Sequence, residues 1–274
     1  MSKNFKTELI YLIPIIVSLL SSVGCAYLLM ASGIELFNVT PFQEENPVGP
    51  VGNALYFVIL VSLGALILFF LLKKRSYKLI NLITGFALVL AIFILSMVYF
   101  YAASLLFASY PIWALVTFSM LTTFLASYAV LRTQSKMGDF VVLLLGSALG
   151  TLLGACVQTL SAIFILCFLA VYDAFAVYRG PVGKIAHVGL EKLRGLSFSF
   201  KDIQMGLGDL TFYSMLVSHM LLYFGILPCL ASFVGVLLGC LLAFKMLERA
   251  GIFPGLPIPI FLGLALGFLV TFSV

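Results

Sequence analysis

Two apolar runs of membrane-spanning length, each interrupted by one aspartate, are the most informative feature of this chain. Residues 161–178 read SAIFILCFLAVYDAFAVY and residues 205–224 read MGLGDLTFYSMLVSHMLLYF, with acids at Asp173 and Asp209. A carboxylate in hydrocarbon costs roughly 2.5–3.5 kcal/mol, so an acid inside a membrane span is a candidate functional residue. Such acids also cap or crosslink helices, but two of them in consecutive spans favour a functional site.

The composition of the chain is that of a polytopic membrane protein. Its 274 residues are 63% hydrophobic and 9% charged, and the mean hydropathy is +1.22. Soluble domains carry about 25% charged residues, and the polar stretches here, 32–53 and 179–201, are too short to form one. We therefore expect a single membrane-embedded domain over residues 1–274, in the plasma membrane if the organism is prokaryotic.

The sequence motifs give no indication of a metal, a nucleotide or another cofactor. His187 and His219 have no partner His or Cys at ligand spacing, so we predict no metal site. Neither a GxxxxGK phosphate loop nor a GxGxxG turn after a strand is present, and we expect no cofactor. Cys156 and Cys229 fall near the same predicted membrane face, where a disulfide could form.

Each membrane-spanning helix needs about 20 apolar residues, and the chain supplies nine such segments. The predicted spans are 9–31, 54–72, 79–101, 111–131, 139–155, 158–178, 203–222, 225–246 and 257–273. The first is longer than the apolar core of a signal peptide, so we interpret it as a retained span. The domain then consists of spans one to six (1–178), a loop (179–201) and spans seven to nine (202–274).

The basic residues test this count and orient the protein. With nine spans, all fifteen Lys and Arg residues fall on one side of the membrane. They lie in the N-terminus and in segments 73–78, 132–139, 179–201 and 245–253. The positive-inside rule predicts a cytoplasmic N-terminus, a cytoplasmic loop at 179–201 and a C-terminus outside. Because topology accounts for the net charge of +5, no nucleic-acid partner is expected.

This orientation places the two aspartates at similar depth. Asp173 lies six residues before Arg179, and Asp209 lies eight residues after Lys201. At 1.5 Å per residue, they are roughly 9 and 12 Å from the cytoplasmic ends of their spans. Two carboxylates facing each other at low dielectric share one proton. One can then activate a water as a base while the other polarises a carbonyl, and the sequence leaves open which is which.

Glycines precede the second aspartate. Gly206 and Gly208 flank Leu207 immediately before Asp209 and leave bare backbone where an extended peptide could approach. Glycines in membrane helices also serve helix packing, so this feature alone carries little weight.

An aromatic residue and a group of prolines also flank the predicted cleft. Tyr172 precedes Asp173 and either lines the cleft or packs within the bundle. Pro254, Pro257 and Pro259 surround the start of the last span. Since proline holds backbone out of regular helix and removes a donor, we expect free carbonyls near the cleft.

Three motifs in order along the chain resemble those of the presenilin family, the GxGD-type intramembrane aspartyl proteases. They are Tyr172-Asp173, Gly206-Leu207-Gly208-Asp209 and Pro254-Gly255-Leu256-Pro257-Ile258, similar to the family's YD, GLGD and PAL motifs. The resemblance implies an all-α fold of nine transmembrane helices and an aspartic endopeptidase that cuts within transmembrane segments of membrane proteins. Asp173 and Asp209 would be the catalytic pair, and the other motif residues up to Pro257 would receive substrate.

Two departures from the family pattern are visible. Gly255 stands where the family has Ala, which keeps the position small. The connection at 179–201 is short, whereas eukaryotic presenilins carry a long loop there that they cut themselves. The chain is therefore more similar to archaeal presenilin homologues, which implies that neither self-processing nor accessory subunits are needed. The expected partners are the lipid bilayer and a substrate helix, with a homo-oligomer left open.

The predicted orientation distinguishes presenilins from signal peptide peptidases. Two other classes of function remain as alternatives. Signal peptide peptidases share the YD and GLGD motifs but sit inverted in the membrane, so a cytoplasmic N-terminus favours presenilin. Acid pairs also relay ions in proton- or cation-coupled transporters, although no second broken helix is visible in residues 1–130. A noncatalytic scaffold that binds membrane helices is the third possibility.

Overall fold

Nine α-helices and one small β-hairpin make up the described part of the chain. The computed structural model describes residues 7–44, 48–107, 109–132, 136–178, 197–200, 203–250 and 253–273. The helices are α1 Ile13–Ser32, α2 Val48–Lys73, α3 Tyr77–Phe107, α4 Ile112–Leu131, α5 Lys136–Cys156, α6 Thr159–Tyr178, α7 Leu207–Phe224, α8 Ile226–Ala250 and α9 Pro257–Ser273. A 3-10 turn at Leu9–Leu12 precedes α1, and strands β1 Ser197–Phe200 and β2 Ile203–Gly206 precede α7. The predicted order of nine helices is confirmed.

The predicted spans and the observed helices differ mainly at their ends. Helix α2 begins at Val48 rather than 54, and α3 continues to Phe107 rather than 101. A span is estimated from bilayer thickness, whereas a helix continues for as long as the chain favours helix. Seven of the described helices are long and apolar enough to cross a membrane, and the apolar α9 is slightly shorter.

The predicted start of the seventh span at 203 is wrong. Residues 203–206 form β2, which pairs antiparallel with β1 so that Phe200 faces Ile203 and Ser197 faces Gly206. Gly206 has an extended backbone (φ −73°, ψ 145°), and α7 begins at the next residue. Glycine is a poor helix former, so Gly206, the first residue of the glycine motif, still pairs with β1 and the helix begins after it. Residues 179–196 of the predicted loop lie outside the described residues.

Helix α7 lies at the centre of the bundle. Eleven of its residues are buried, and it packs against α1, α5, α8 and α9. Gly150 of α5 permits the close approach of α5 to α7, because a Cβ there would lie 2.8 Å from the Cβ of Ser214. Small residues at such positions let helix backbones pack closely in lipid.

Buried hydroxyl groups bind α7 to the first and fifth helices. The Ser22 hydroxyl on α1 donates to the Ser214 carbonyl on α7 at 3.0 Å, and it also bonds the Thr151 hydroxyl on α5 at 2.9 Å. These bonds join three helices where no water competes. The helix that carries Asp209 is therefore held from two sides.

Helices α8 and α9 form a close antiparallel pair. Gly235 on α8 faces the backbone of α9, and a Cβ at Gly235 would lie 2.6 Å from the Leu262 carbonyl oxygen. Ser232 adds a hydrogen bond to the Gly263 carbonyl at 2.8 Å. This packing fixes the ends of the segment that joins the two helices, which contains the Pro254–Pro257 motif.

Candidate active site

The two aspartates lie on helices that follow one another in the described part of the chain, each near a helix end. Asp173 is on α6, five residues before that helix ends at Tyr178. Asp209 is the third residue of α7. The first turn of a helix has free N–H groups and a positive dipole end, which favour an anion. Both side chains are partly buried.

Both carboxylates converge on two consecutive residues of the Pro254–Pro257 motif. The backbone N–H of Leu256 donates to Asp173 Oδ2 at 3.0 Å. A Cβ added to Gly255 would lie 2.9 Å from Asp209 Oδ2 and 3.2 Å from its Cγ. Since neighbouring Cα atoms are about 3.8 Å apart, the two acids lie in one compact site.

Two carboxylates so placed have a definite chemistry. In a low-dielectric site two adjacent carboxylates do not both ionise readily, and such pairs typically share one proton. An ionised and a protonated carboxyl side by side supply a general base and a general acid at the same time. The geometry therefore suits the addition of water to a carbonyl group.

Residues 253–256, here called the connector, precede α9, have no regular secondary structure and pack into the bundle. Pro254 and Leu256 are buried, whereas Gly255 is half-buried. Pro257 is the first residue of α9, where its missing N–H costs no helical bond. The connector thus presents backbone groups, rather than side chains, to the aspartates.

Tyr213 is a site residue that the sequence analysis missed. Its hydroxyl donates to the Gly255 carbonyl at 2.7 Å, and its side chain is 2% exposed. Tyr213 follows Asp209 by four residues on α7, so the two lie on the same helix face. That spacing was a signal available in the sequence.

The glycine motif ahead of Asp209 lies where β2 meets α7. A Cβ added to Gly206 would lie 3.9 Å from Asp209 Oδ2, so this glycine is next to the carboxylate. Leu207 packs toward α5, since a Cβ on Gly146 would lie 3.2 Å from Leu207 Cδ1. Gly208 is exposed, which leaves backbone accessible beside the acid. Of these three residues, the structure brings Gly206 and Gly208 toward the aspartate and turns the Leu207 side chain to the bundle.

Tyr172 lies beside Asp173 on α6. Its side chain is partly buried, at the level of the aspartate pair. Its predicted role in lining the cleft stays a prediction.

A small cavity opens beside Asp209. Its volume is about 100 Å³, which is large enough for several water molecules. The lining residues come from β2, α7, α8 and the connector: Met205, Asp209, Tyr213, Cys240, Ala243, Phe244, Leu247, Phe253, Pro254 and Gly255. Water can therefore be held next to this carboxylate.

Other candidates from the sequence lie elsewhere. His219 is buried among α5, α6 and α7, with Nδ1 2.7 Å from the Gly154 carbonyl and its ring stacked on Tyr223. Cys156 and Cys229 carry free thiols, so no disulfide joins them. Over the described ranges, no three His, Cys, Asp or Glu side chains are grouped as metal ligands.

The fold of this chain is similar to that of solved structures. A crystal structure of a presenilin family intramembrane aspartate protease, in space group C222, superposes with a TM-score of 0.69 at 23% identity, covering 96% of this chain and 98% of that one. A second crystal form, P2, gives 0.66 at 23% identity over 96% and 97%. At this identity the likeness establishes the fold, a multi-pass membrane bundle of the presenilin type.

The family follows from the sequence comparisons. The model of the family described as signal-peptide peptidase, presenilin aspartyl protease matches residues 15–187, which is well over half of the chain. Presenilin-B of Dictyostelium discoideum is 33% identical over 114 residues, a match that covers 36% of this chain and 23% of that relative. The chain belongs to the signal-peptide peptidase and presenilin family of aspartyl proteases. It is an integral, multi-pass membrane protein, and the comparisons give no support to the transporter alternative.

Proposed function

We propose that the protein is an intramembrane aspartic endopeptidase whose catalytic pair is Asp173 and Asp209. The observation that carries this proposal is the convergence of both carboxylates on Gly255 and Leu256. Acids that served only to crosslink helices would instead be expected to bond the side chains or carbonyls of neighbouring helices. Membership of an aspartyl protease family supports the same activity.

The reaction follows from one proton shared by two acids. The ionised carboxylate takes a proton from water, whose oxygen attacks the carbonyl carbon of the scissile peptide bond. The protonated carboxyl gives its proton to the carbonyl oxygen as the tetrahedral intermediate forms. When the C–N bond breaks, the amine takes up the proton that came from water, and the intermediate returns a proton to the other carboxylate. Either acid can begin as the base.

The substrate is a transmembrane segment that unwinds near the pair. An extended segment can add as a strand to a sheet edge, where main-chain bonds hold it and leave its peptide bonds exposed. Within the described residues the sheet consists of strands β1 and β2, and a substrate segment would add to it as a third strand. The proline connector and Gly208 offer further bare backbone on the approach to Asp209.

The environment of the site supports a membrane substrate and a route for water. The described helices expose many large apolar side chains on the outside of the bundle, as expected of a lipid-facing surface. Water would enter from the cytoplasmic face, to which all the basic loops belong in the proposed orientation. The cavity beside Asp209 would receive it.

The decisive experiment replaces each acid in turn. Asp173→Ala and Asp209→Ala should each lower the cleavage rate of a single-span membrane substrate by at least about 10²–10⁴-fold. The measurement is incubation of the purified chain with that substrate, followed by mass spectrometry of the fragments. Retention of cleavage in either variant would contradict the proposal.

A matched control and a second question use the same assay. Asp139→Ala, in the first turn of α5, removes an acid away from the pair and should retain cleavage. All variants should show the melting temperature of the unsubstituted protein within a few degrees. Because only the purified chain is present, cleavage in this assay also tests whether accessory subunits are dispensable.

A further inference from the structure

We propose that Tyr213 is a positioning residue that orients Asp173 through a single peptide group. The inference rests on the proposed catalytic role of the aspartate pair. It concerns a residue outside the YD, glycine and proline motifs, and it assigns that residue a part in setting the geometry of the two acids.

The two hydrogen bonds that define this role belong to one peptide unit. The Tyr213 hydroxyl donates to the carbonyl of Gly255 at 2.7 Å, and the N–H of Leu256 donates to Asp173 Oδ2 at 3.0 Å. That carbonyl and that N–H are the two polar ends of the bond between residues 255 and 256. None of the described peptide bonds is cis, so the two ends point in opposite directions. Tyr213 and Asp173 therefore hold the same peptide group from opposite sides.

This arrangement links the two helices that carry the acids. Tyr213 lies one turn beyond Asp209 on α7, while Asp173 is on α6. The chain Tyr213–peptide–Asp173 thus connects α7 to α6 through the connector between α8 and α9. A change in the orientation of the Tyr213 hydroxyl, on the helix of Asp209, therefore changes the orientation of Asp173 on α6.

The bonds also strengthen each other. A donor on the carbonyl end polarises the peptide and makes its N–H a better donor, and this cooperativity is larger where water is excluded. Tyr213 is 2% exposed and Leu256 is 5% exposed, so both bonds are shielded. Without the hydroxyl, the peptide can rotate and hold Asp173 less tightly.

The alternative is that Tyr213 is simply a large buried side chain whose hydroxyl needs a partner. In that case its loss would affect stability rather than the chemical step. Tyr213 and Cys240 also line the same cavity, where the thiol could bond the hydroxyl without any connection to Asp173. The test must therefore separate positioning from packing.

The test is Tyr213→Phe, which keeps the ring and removes the hydroxyl. We expect kcat for a single-span membrane substrate to fall about tenfold, the effect of one hydrogen bond, with KM changed less than about twofold. Tyr99→Phe is the matched control: its half-buried hydroxyl donates to the Ala148 carbonyl at 2.8 Å, between α3 and α5. We expect that variant to retain the original kcat.

Several outcomes would overturn the inference. The first is an unchanged kcat in Tyr213→Phe. The second is an equal fall in kcat in Tyr213→Phe and Tyr99→Phe. The third is a fall in kcat that is fully explained by a lower melting temperature of Tyr213→Phe. If Asp173→Ala and Asp209→Ala abolish cleavage while Tyr213→Phe does not affect it, the inference fails and the proposed function stands. If the aspartate variants cleave, the proposed function fails first.

A second measurement asks whether Tyr213 acts through Asp173. The probe is a peptide-like inhibitor with a central hydroxyethylene group, which mimics the tetrahedral intermediate. When Asp173 is present, Tyr213→Phe should weaken binding of the inhibitor severalfold. When Asp173→Ala is also present, Tyr213→Phe should leave binding of the inhibitor unchanged. Equal weakening in both backgrounds would show that the hydroxyl acts by another route.

Discussion

At the scale of single residues, the site depends on groups that have almost no side chain. Gly255 contacts Asp209 closely enough that an added Cβ would lie 2.9 Å from Oδ2, which is shorter than a normal van der Waals contact. The presenilin-like motif has Ala at this position, so this chain differs where the connector touches an acid. The absence of a Cβ lets the connector lie against the carboxylate of Asp209 in the observed arrangement.

The contact at Gly255 gives a prediction about activity. Gly255→Ala should displace the Asp209 carboxylate, because the nearest atoms are the end of a short side chain and can move. We expect a fall in kcat of a few fold, about 1 kcal/mol in the activation barrier, with little change in melting temperature. Gly24→Ala on α1, which has open space around the added carbon, is the control. An unchanged kcat in Gly255→Ala would show that the acid adapts without cost.

At the scale of secondary structure, helix α7 is positioned by α5 and by the hairpin. Gly150 and Gly154 on α5 lie directly against α7, where a Cβ at Gly154 would be 2.8 Å from the Met215 carbonyl oxygen. On the other side of the motif, β2 ends at Gly206 and brings the chain to Asp209 in an extended form. Asp209 therefore lies at the junction between β2 and α7, and α7 is tightly packed against α5.

The α5–α7 contact gives a prediction about stability. Gly150→Ala should lower the free energy of unfolding by about 1–3 kcal/mol, because the added carbon meets backbone that cannot move aside. Thermal unfolding in detergent measures the effect. Gly64→Ala on α2 has open space and should be neutral or slightly stabilising, since alanine favours helix. Equal melting of the two variants would contradict close packing at Gly150.

At the scale of the whole molecule, the distribution of basic residues favours one orientation of the protein in the membrane. Every Lys and Arg falls on one side when the nine helices are threaded through a membrane. The same side contains the hairpin and the approach to the aspartates. In the proposed orientation, substrate would enter from the lipid and water from the cytoplasm, so the orientation would decide which compartment supplies the water for the reaction.

The orientation is tested by labelling single cysteines in a cysteine-free background. Glu35→Cys, between α1 and α2, should react with a membrane-impermeant maleimide added to intact cells. Lys74→Cys, between α2 and α3, should react only after the membrane is permeabilised. Both positions are exposed, so accessibility within the protein does not limit the reaction. The reverse pattern would indicate the inverted orientation.

The amino-acid sequence was enough to predict the number and order of the helices in the described part of the chain and to single out the two acids. The membrane makes this possible, because each span must be apolar and about 20 residues long whatever the rest of the chain does. A carboxylate in such a span is costly, so Asp173 and Asp209 were evident without any knowledge of packing.

How these parts contact one another could be seen only in the folded protein. The bond from Tyr213 to Gly255 joins residues 42 apart, and the bond from Leu256 to Asp173 joins residues 83 apart. Neither leaves a local pattern, because each depends on the close α8–α9 packing that places the connector. Strands β1 and β2 were missed for a similar reason: each is four residues long, and their pairing, rather than their composition, makes them strands.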